Sequence, residues 1–72
     1  MKVLVTDPIA KAGIERLQEQ GHDVEKAYDL TQEELLEAIS DANALIVRSG
    51  TEVTREVFEA ANELIIVGRA GI

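Results

Sequence analysis

The sequence predicts an α/β domain built on a parallel β-sheet, and three observations predict it. First, the runs Val3-Leu4-Val5, Ala44-Leu45-Ile46-Val47 and Leu64-Ile65-Ile66-Val67 are apolar throughout. Strands buried on both faces read this way, whereas half-exposed strands alternate. Second, the segments between these runs carry helical periodicity and helix-start signals. Third, strand and helix alternate as βαβαβαβ, an order that calls for parallel strands joined by right-handed crossovers.

The elements follow in order. Val3-Leu4-Val5 is the first strand. Asp7-Pro8 comes next, an N-cap residue followed by proline at the first helical position. Ala10, Gly13, Ile14 and Leu17 then mark one helical face, and Gly21 is a left-handed stop. His22-Asp23-Val24-Glu25-Lys26-Ala27 is polar, so as a strand it belongs at a sheet edge. Thr31 and Glu34 form a capping box, with Leu30 and Leu35 at the hydrophobic staple positions. Leu35, Leu36 and Ile39 supply the buried stripe of this second helix, and Asp41-Ala42-Asn43 breaks it. After the third strand, Arg48-Ser49-Gly50-Thr51 is a polar loop. Thr54 caps a third helix, with Val53 and Phe58 as a staple pair and Val57, Phe58 and Ala61 facing inward. Asn62-Glu63 ends it. Leu64–Val67 is the fourth strand, and Gly68-Arg69-Ala70-Gly71-Ile72 closes the chain.

Composition narrows the function classes. The 72 residues are 46% hydrophobic and 29% charged, as in a globular domain rather than a disordered chain. A chain of this length buries only about 60% of its unfolded surface, so the core is thin. With 0 Cys and 1 His, neither a disulfide nor a structural zinc reinforces it. The net charge of -7 argues against non-specific nucleic-acid binding and against an anionic membrane surface. No apolar run approaches the ~20 residues of a membrane span, and no signal segment opens the chain, so cytoplasm is the expected location.

Strand composition also orders the sheet. The polar second strand belongs at an edge and the first and third inside, which gives 2-1-3-4, the start of a flavodoxin-like 2-1-3-4-5 sheet. Two mismatches accompany that order. The fourth strand would be the other edge, yet it carries no Lys, Pro or charge to blunt it. Helix one alone would cover one face, and a single helix spans roughly 10 Å of a sheet whose strands lie ~4.8 Å apart. Both point to an incomplete domain, the front part of a longer one, or to pairing with another copy.

Ligands of open parallel sheets bind outside the carboxyl ends of the strands, where the order reverses. Arg48 and Arg69, two of four Arg in an acidic chain, fall at such ends, each followed within two residues by a glycine. Arginine forks and approachable backbone N–H groups suit a carboxylate or phosphate. The alternative, that both are solvated loop residues paired with nearby acids, is not separated from this by the residues alone. Other candidates are weaker. His22 lies at the opposite end of the sheet and reads as a surface residue. Asp7 reads as a helix cap rather than a metal ligand. Glu33, Glu34 and Glu37 read as the dipole-favoured first turn of a helix, and Arg55 with Glu59 as a surface i, i+4 pair. There is no G-x-G-x-x-G and no phosphate-cradling P-loop, so no cofactor site, and no catalytic or metal-binding set can be assembled.

Three segments together carry a resemblance: Lys2-Val3-Leu4-Val5-Thr6-Asp7-Pro8-Ile9, Ala44 to Thr54 with its Arg48-Ser49-Gly50-Thr51, and Val67-Gly68-Arg69-Ala70-Gly71. They resemble the amino-terminal part of the NAD-dependent D-2-hydroxyacid dehydrogenases, and within them the branch that acts on 3-phosphoglycerate at the opening of serine biosynthesis. The resemblance spans essentially the whole chain. It implies a flavodoxin-like substrate-binding domain, of which residues 1–72 form part, with the nucleotide-binding domain absent. Carried over, Arg48 and Arg69 look like anion-binding arginines, with Ser49, Gly50, Thr51, Ala70 and Gly71 lining the same cleft. Which arginine meets phosphate and which carboxylate stays open. The family's catalytic His, Glu and Arg and its dinucleotide loop would lie past Ile72. The expected role is therefore a catalytically inactive piece of an NAD-dependent parent.

Three other readings compete. One is a minimal flavodoxin-like module that folds by self-association, as a homodimer or by exchange of elements. A phosphoacceptor receiver domain needs an aspartate after the third strand, where this chain has Arg48. A flavin-binding protein needs a hydroxyl- and glycine-rich loop after the first strand, where it has Asp7-Pro8-Ile9.

Overall fold

The computed structural model describes residues 1–70. Seven elements follow one another: β1 (Lys2–Val5), α1 (Lys11–Glu19), β2 (Asp23–Lys26), α2 (Gln32–Ile39), β3 (Ala44–Val47), α3 (Arg55–Ala60) and β4 (Ile66–Arg69). The strands form one sheet in the order β2-β1-β3-β4, and every neighbouring pair is parallel. This is the alternation and the order expected from strand polarity. β2, with three of its four residues exposed, is the polar edge.

The core divides between the two faces of the sheet. Leu4, Leu45 and Val47 pack on one face against Leu35 and Ile39 of α2 and Val57 of α3. Val3, Val5 and Ala44 lie on the other, with Leu17 of α1 and Ile9 beside them. Leu4, Ile39, Leu45 and Val57 are all 0% exposed. Burial of such side chains contributes about 1.5–3 kcal/mol each. The two-helix face is the fuller one. Ile66 pairs with Ala44 and so shares the α1 face, yet it is 58% exposed because α1 does not reach it. The under-covered face is therefore a real feature of the fold, whereas the fourth strand is not free of charge, since it ends on Arg69.

Helix ends show where local chemistry acts as expected. α2 opens with a complete capping box: the Glu34 N–H donates to Thr31 Oγ1 at 3.2 Å, and the Thr31 N–H donates to Glu34 Oε1 at 2.8 Å. In α3 the Val57 N–H donates to Thr54 Oγ1 at 3.4 Å. Gly21 sits at φ 87. Its N–H meets the Gln18 carbonyl and the His22 N–H meets the Leu17 carbonyl, the paired bonds that close a helix on a left-handed residue.

Three expectations are corrected. α1 begins at Lys11, its N-cap is Ala10, and no side chain caps it. Asp7 is not the cap because its carboxylate is committed elsewhere, as described below. Pro8 to Ala10 form a non-helical lead-in, and Ala10 and Gly13 are exposed, leaving Ile14 and Leu17 as the inward positions. In α3, Phe58 is 54% exposed. Adjacent helical residues point about 100° apart, and Val57 takes the core direction. Finally, β4 runs two residues later than its apolar run. The Asn43 carbonyl accepts the Ile65 N–H at 2.7 Å, and Ala44 then pairs with Ile66. That register draws Gly68 and Arg69 into the strand.

Asn43 does more than break a helix. Its Oδ1 accepts the Lys2 N–H at 2.8 Å, and its own N–H donates to the Lys2 carbonyl at 2.9 Å. It thereby ties the amino ends of β1, β3 and β4 together. Beside it, Lys2 Nζ meets Asp41 at 2.8 Å and Glu25 at 3.5 Å.

The capping box gives a pH dependence with a defined sign. The Thr31 N–H bonded to Glu34 holds that carboxyl below its ordinary 4.5. A depressed native value means stabilisation that is present above the ordinary value and lost as pH falls through the native one. Glu34→Gln, which mimics the protonated side chain, is expected to be less stable than wild type at neutral pH in urea unfolding. The gap should begin to narrow below the ordinary value and close once pH has fallen through the lower native one, and a gap that stays constant with pH would contradict the assignment.

Candidate anion-binding site

The carboxyl ends of β1, β3 and β4 meet at one rim of the sheet. β1 runs into Thr6 and Asp7, which are 4% and 8% exposed. β3 runs into the exposed turn Arg48-Ser49-Gly50. A buried carboxylate needs donors, and Asp7 finds them in that turn. Its Oδ2 accepts the Arg48 N–H at 2.7 Å and the Thr51 N–H at 3.0 Å. Alongside, Thr51 Oγ1 donates to Thr6 Oγ1 at 2.9 Å. One carboxylate thus closes both ends of the turn. The sequence reading missed this role. The only available signal was an acidic residue directly after a buried strand, the same signal that a helix cap gives.

Gly50 fits because it has no side chain. A Cβ there would meet Asp7 Oδ1 at 2.6 Å. Asp7 cannot swing aside without breaking its bonds to Arg48 and Thr51.

The two arginines lie at the same rim. Val47 pairs with Arg69 across β3 and β4, so Arg48 follows directly on Arg69's neighbour. Arg48, Ser49, Thr51 and Arg69 line one open cavity of about 570 Å³, with Glu52 and the apolar Val53 and Val67 also in its wall. Among the described residues neither guanidinium enters an ion pair, in contrast to Lys2, Lys11 and Arg55. The Ser49 and Gly50 N–H groups likewise have no backbone partner among the described residues. An arginine fork beside free N–H groups is the chemistry that receives a carboxylate or a phosphate.

The remaining candidates separate. Gly50 turns toward Asp7 and lines the adjoining recess with Pro8, Arg48 and Ser49. The Ala70 N–H donates to the Val47 carbonyl at 2.8 Å, so it extends the sheet ladder and is not free for a ligand. Gly71 lies outside the described residues. His22 precedes β2 at the far end of the sheet, half-buried, its Nδ1 without a partner among the described residues. Arg55 and Glu59 form the surface pair expected of them, at 3.1 Å. Glu33, Glu34 and Glu37 are all exposed on α2. Among the described residues no cluster of three or more His, Cys, Asp or Glu is placed to hold a metal. No helix among them is long and apolar enough to cross a membrane.

This fold, with an arginine-bearing turn at its switch point, matches one known class over nearly its whole length. The chain belongs to the D-isomer specific 2-hydroxyacid dehydrogenases, whose catalytic-domain model matches residues 3–72. It is 56% identical over 72 residues to D-3-phosphoglycerate dehydrogenase of Methanocaldococcus jannaschii, covering all of this chain and 14% of that protein. It is 53% identical to the chloroplastic D-3-phosphoglycerate dehydrogenase 2 of Arabidopsis thaliana, covering 99% of this chain and 11% of the other. Among solved structures, the NAD+-bound 3-phosphoglycerate dehydrogenase of Entamoeba histolytica superposes with a TM-score of 0.87 at 32% identity, over 100% of this chain and 26% of that one. The chain therefore spans about one seventh or less of the length of these curated relatives.

Gly50→Ala is expected to destabilise the domain by about 1–3 kcal/mol, because the new Cβ displaces a pinned, buried carboxylate. Urea unfolding measures it. A loss within a few tenths of a kcal/mol would mean that Asp7 is free to rotate away.

Proposed function

We propose that this chain forms the front of the substrate-binding domain of a D-3-phosphoglycerate dehydrogenase and holds the anionic substrate there. The whole enzyme would oxidise the C2 hydroxyl of 3-phosphoglycerate to the ketone of 3-phosphohydroxypyruvate, at the opening of serine biosynthesis. Such an oxidation removes a hydride from C2 and a proton from its hydroxyl, and the hydride acceptor and the base would be supplied outside these residues. The observation that carries the reading is that Arg48 and Arg69 line one cavity at the carboxyl ends of adjacent parallel strands. The substrate is a carboxylate at one end and a phosphate at the other, and two guanidiniums at one rim suit such a molecule.

The described residues do not fit the dinucleotide. β1 leads into Asp7-Pro8-Ile9, with a buried carboxylate where a pyrophosphate would need N–H groups. NAD is implied by the family for the whole protein, and no step is assigned to these residues through it. Their part is to bind and orient the substrate, with Arg48, Ser49, Gly50, Thr51 and Arg69 as the contributing residues.

Amide NMR spectra titrated with 3-phosphoglycerate test the proposal. The Ser49, Gly50 and Arg69 resonances are expected to move, with glycerol as an uncharged control. Arg48→Ala should weaken the effect about tenfold, the loss of one charge-assisted contact. No movement at millimolar ligand, or equal response of the variant, would count against it.

A second reading concerns self-association and rests on a separate observation. Ile65, just before β4, and Ile66 and Val67 within it are 75%, 58% and 37% exposed, with Phe58 at 54% beside them. They border a groove of about 300 Å³ with Ala61 and Leu64. An edge strand whose one charge is the terminal Arg69 leaves an apolar stretch as a template for strand addition. Glu63 precedes β4 by three residues and Arg69 ends it, so two copies pairing antiparallel across a two-fold axis would run each arginine toward the partner's glutamate. The 72-residue chain is expected to sediment as a dimer at high concentration, and Val67→Lys should return it to monomer. A wild-type chain that stays monomeric throughout would refute this.

A further inference from the structure

We infer that Asp7 is a positioning residue for anion binding: it touches no ligand itself but holds the Arg48–Thr51 turn in the shape that receives one. This rests on the anion-binding reading of that rim and adds the residue that makes the rim work. The geometry is specific. Asp7 is 8% exposed and lies two residues past the end of β1, the strand paired with β3, 41 residues earlier in the chain than Arg48. Both of its hydrogen bonds go to backbone N–H groups, one at each end of the turn. Those two N–H groups are thereby withdrawn from any ligand, while the Ser49 and Gly50 N–H groups between them stay unpaired among the described residues. Gly50 lies close enough to Asp7 Oδ1 that only a hydrogen fits between the Gly50 backbone and the carboxylate. A four-residue exposed turn without this clasp would sample many conformations. Each would have to be frozen out when an anion binds, at a cost in affinity.

Charge pulls the other way. A buried carboxylate next to an anion site also repels the anion. Geometry and charge therefore predict opposite effects of removing Asp7, and two substitutions separate them. Asp7→Asn keeps an oxygen able to accept both N–H groups and removes the charge. Asp7→Ala removes charge and clasp together.

The test is a titration of the 72-residue chain and its variants with inorganic phosphate and with 3-phosphoglycerate, read from amide shifts, with ¹⁵N relaxation of Ser49 and Gly50 recorded without ligand. Asp7→Ala is expected to weaken binding about tenfold and to make both amides more mobile, the cost of losing preorganisation. Asp7→Asn should restore ordered amides and bind at least as tightly as wild type. Should Asp7→Ala fail to fold, Gly50→Ala attacks the same clasp from the turn side and should weaken binding likewise. Binding by Asp7→Ala that equals or exceeds that of wild type would overturn the inference, as would unchanged binding by a folded Gly50→Ala, and either result would leave the anion site itself standing. Wild-type protein that binds neither anion would overturn both.

Discussion

Everything at the functional rim depends on the parallel pairing of β1 with β3. The two strands are joined in register through Val3–Ala44, Leu4–Leu45 and Val5–Ile46. Each contributes side chains to both cores, so neither face of the sheet forms without them. The pairing is non-local, and its loop-closure entropy is offset only by the apolar burial that follows. Once it forms, the residues just past the two strands have no choice of neighbour. Thr6 and Asp7 emerge beside Arg48 to Thr51, and two backbone bonds and a hydroxyl pair lock the junction. At the other end Asn43 performs the matching task for the strand starts.

The anion site proposed at the rim lies in an acidic chain. A net charge of -7 is a poor setting for one. The remedy is local. Elsewhere Lys2, Lys11 and Arg55 are engaged by neighbouring carboxylates. Arg48 and Arg69 sit where the strands end, and the carboxylate of Asp7 at the same rim accepts from backbone donors rather than from a guanidinium. Glu52 remains in the cavity wall as the one opposing acid. The same division between satisfied and unsatisfied groups appears along β4, whose four residues all pair with β3 while Ile66 and Val67 stay exposed to solvent.

Much of this was legible in the residues. Polarity placed β2 at an edge, and continuous apolar runs placed β1 and β3 inside. Thr31 with Glu34, Thr54 and Gly21 marked helix ends through bonds that span only a few residues. Arg48 and Arg69 stood out because basic residues are scarce here and strand ends are known ligand positions. Where the reading failed, a distant partner decided. Asp7-Pro8 has the local signature of a helix start, but turn donors 41 residues away compete for the same carboxylate. Phe58 looked like core, but Val57 one position earlier fills the only inward direction that a six-residue helix offers. Leu64 to Val67 looked like the strand, but the Asn43 carbonyl set the register two residues later.

The sequence by itself determined the alternation of elements, the strand order and the helix ends marked by Gly21, Thr31 and Thr54. Each rests on periodicity, burial preference or hydrogen bonds that close within one turn of chain. Only the tertiary structure decided which groups are spent and which are free. It assigned Asp7 to the turn, committed the Ala70 N–H to the sheet, and left the Ser49 and Gly50 N–H groups without a partner among the described residues. Those outcomes are settled by competition among donors and acceptors brought together from remote parts of the chain, and no local pattern records who wins.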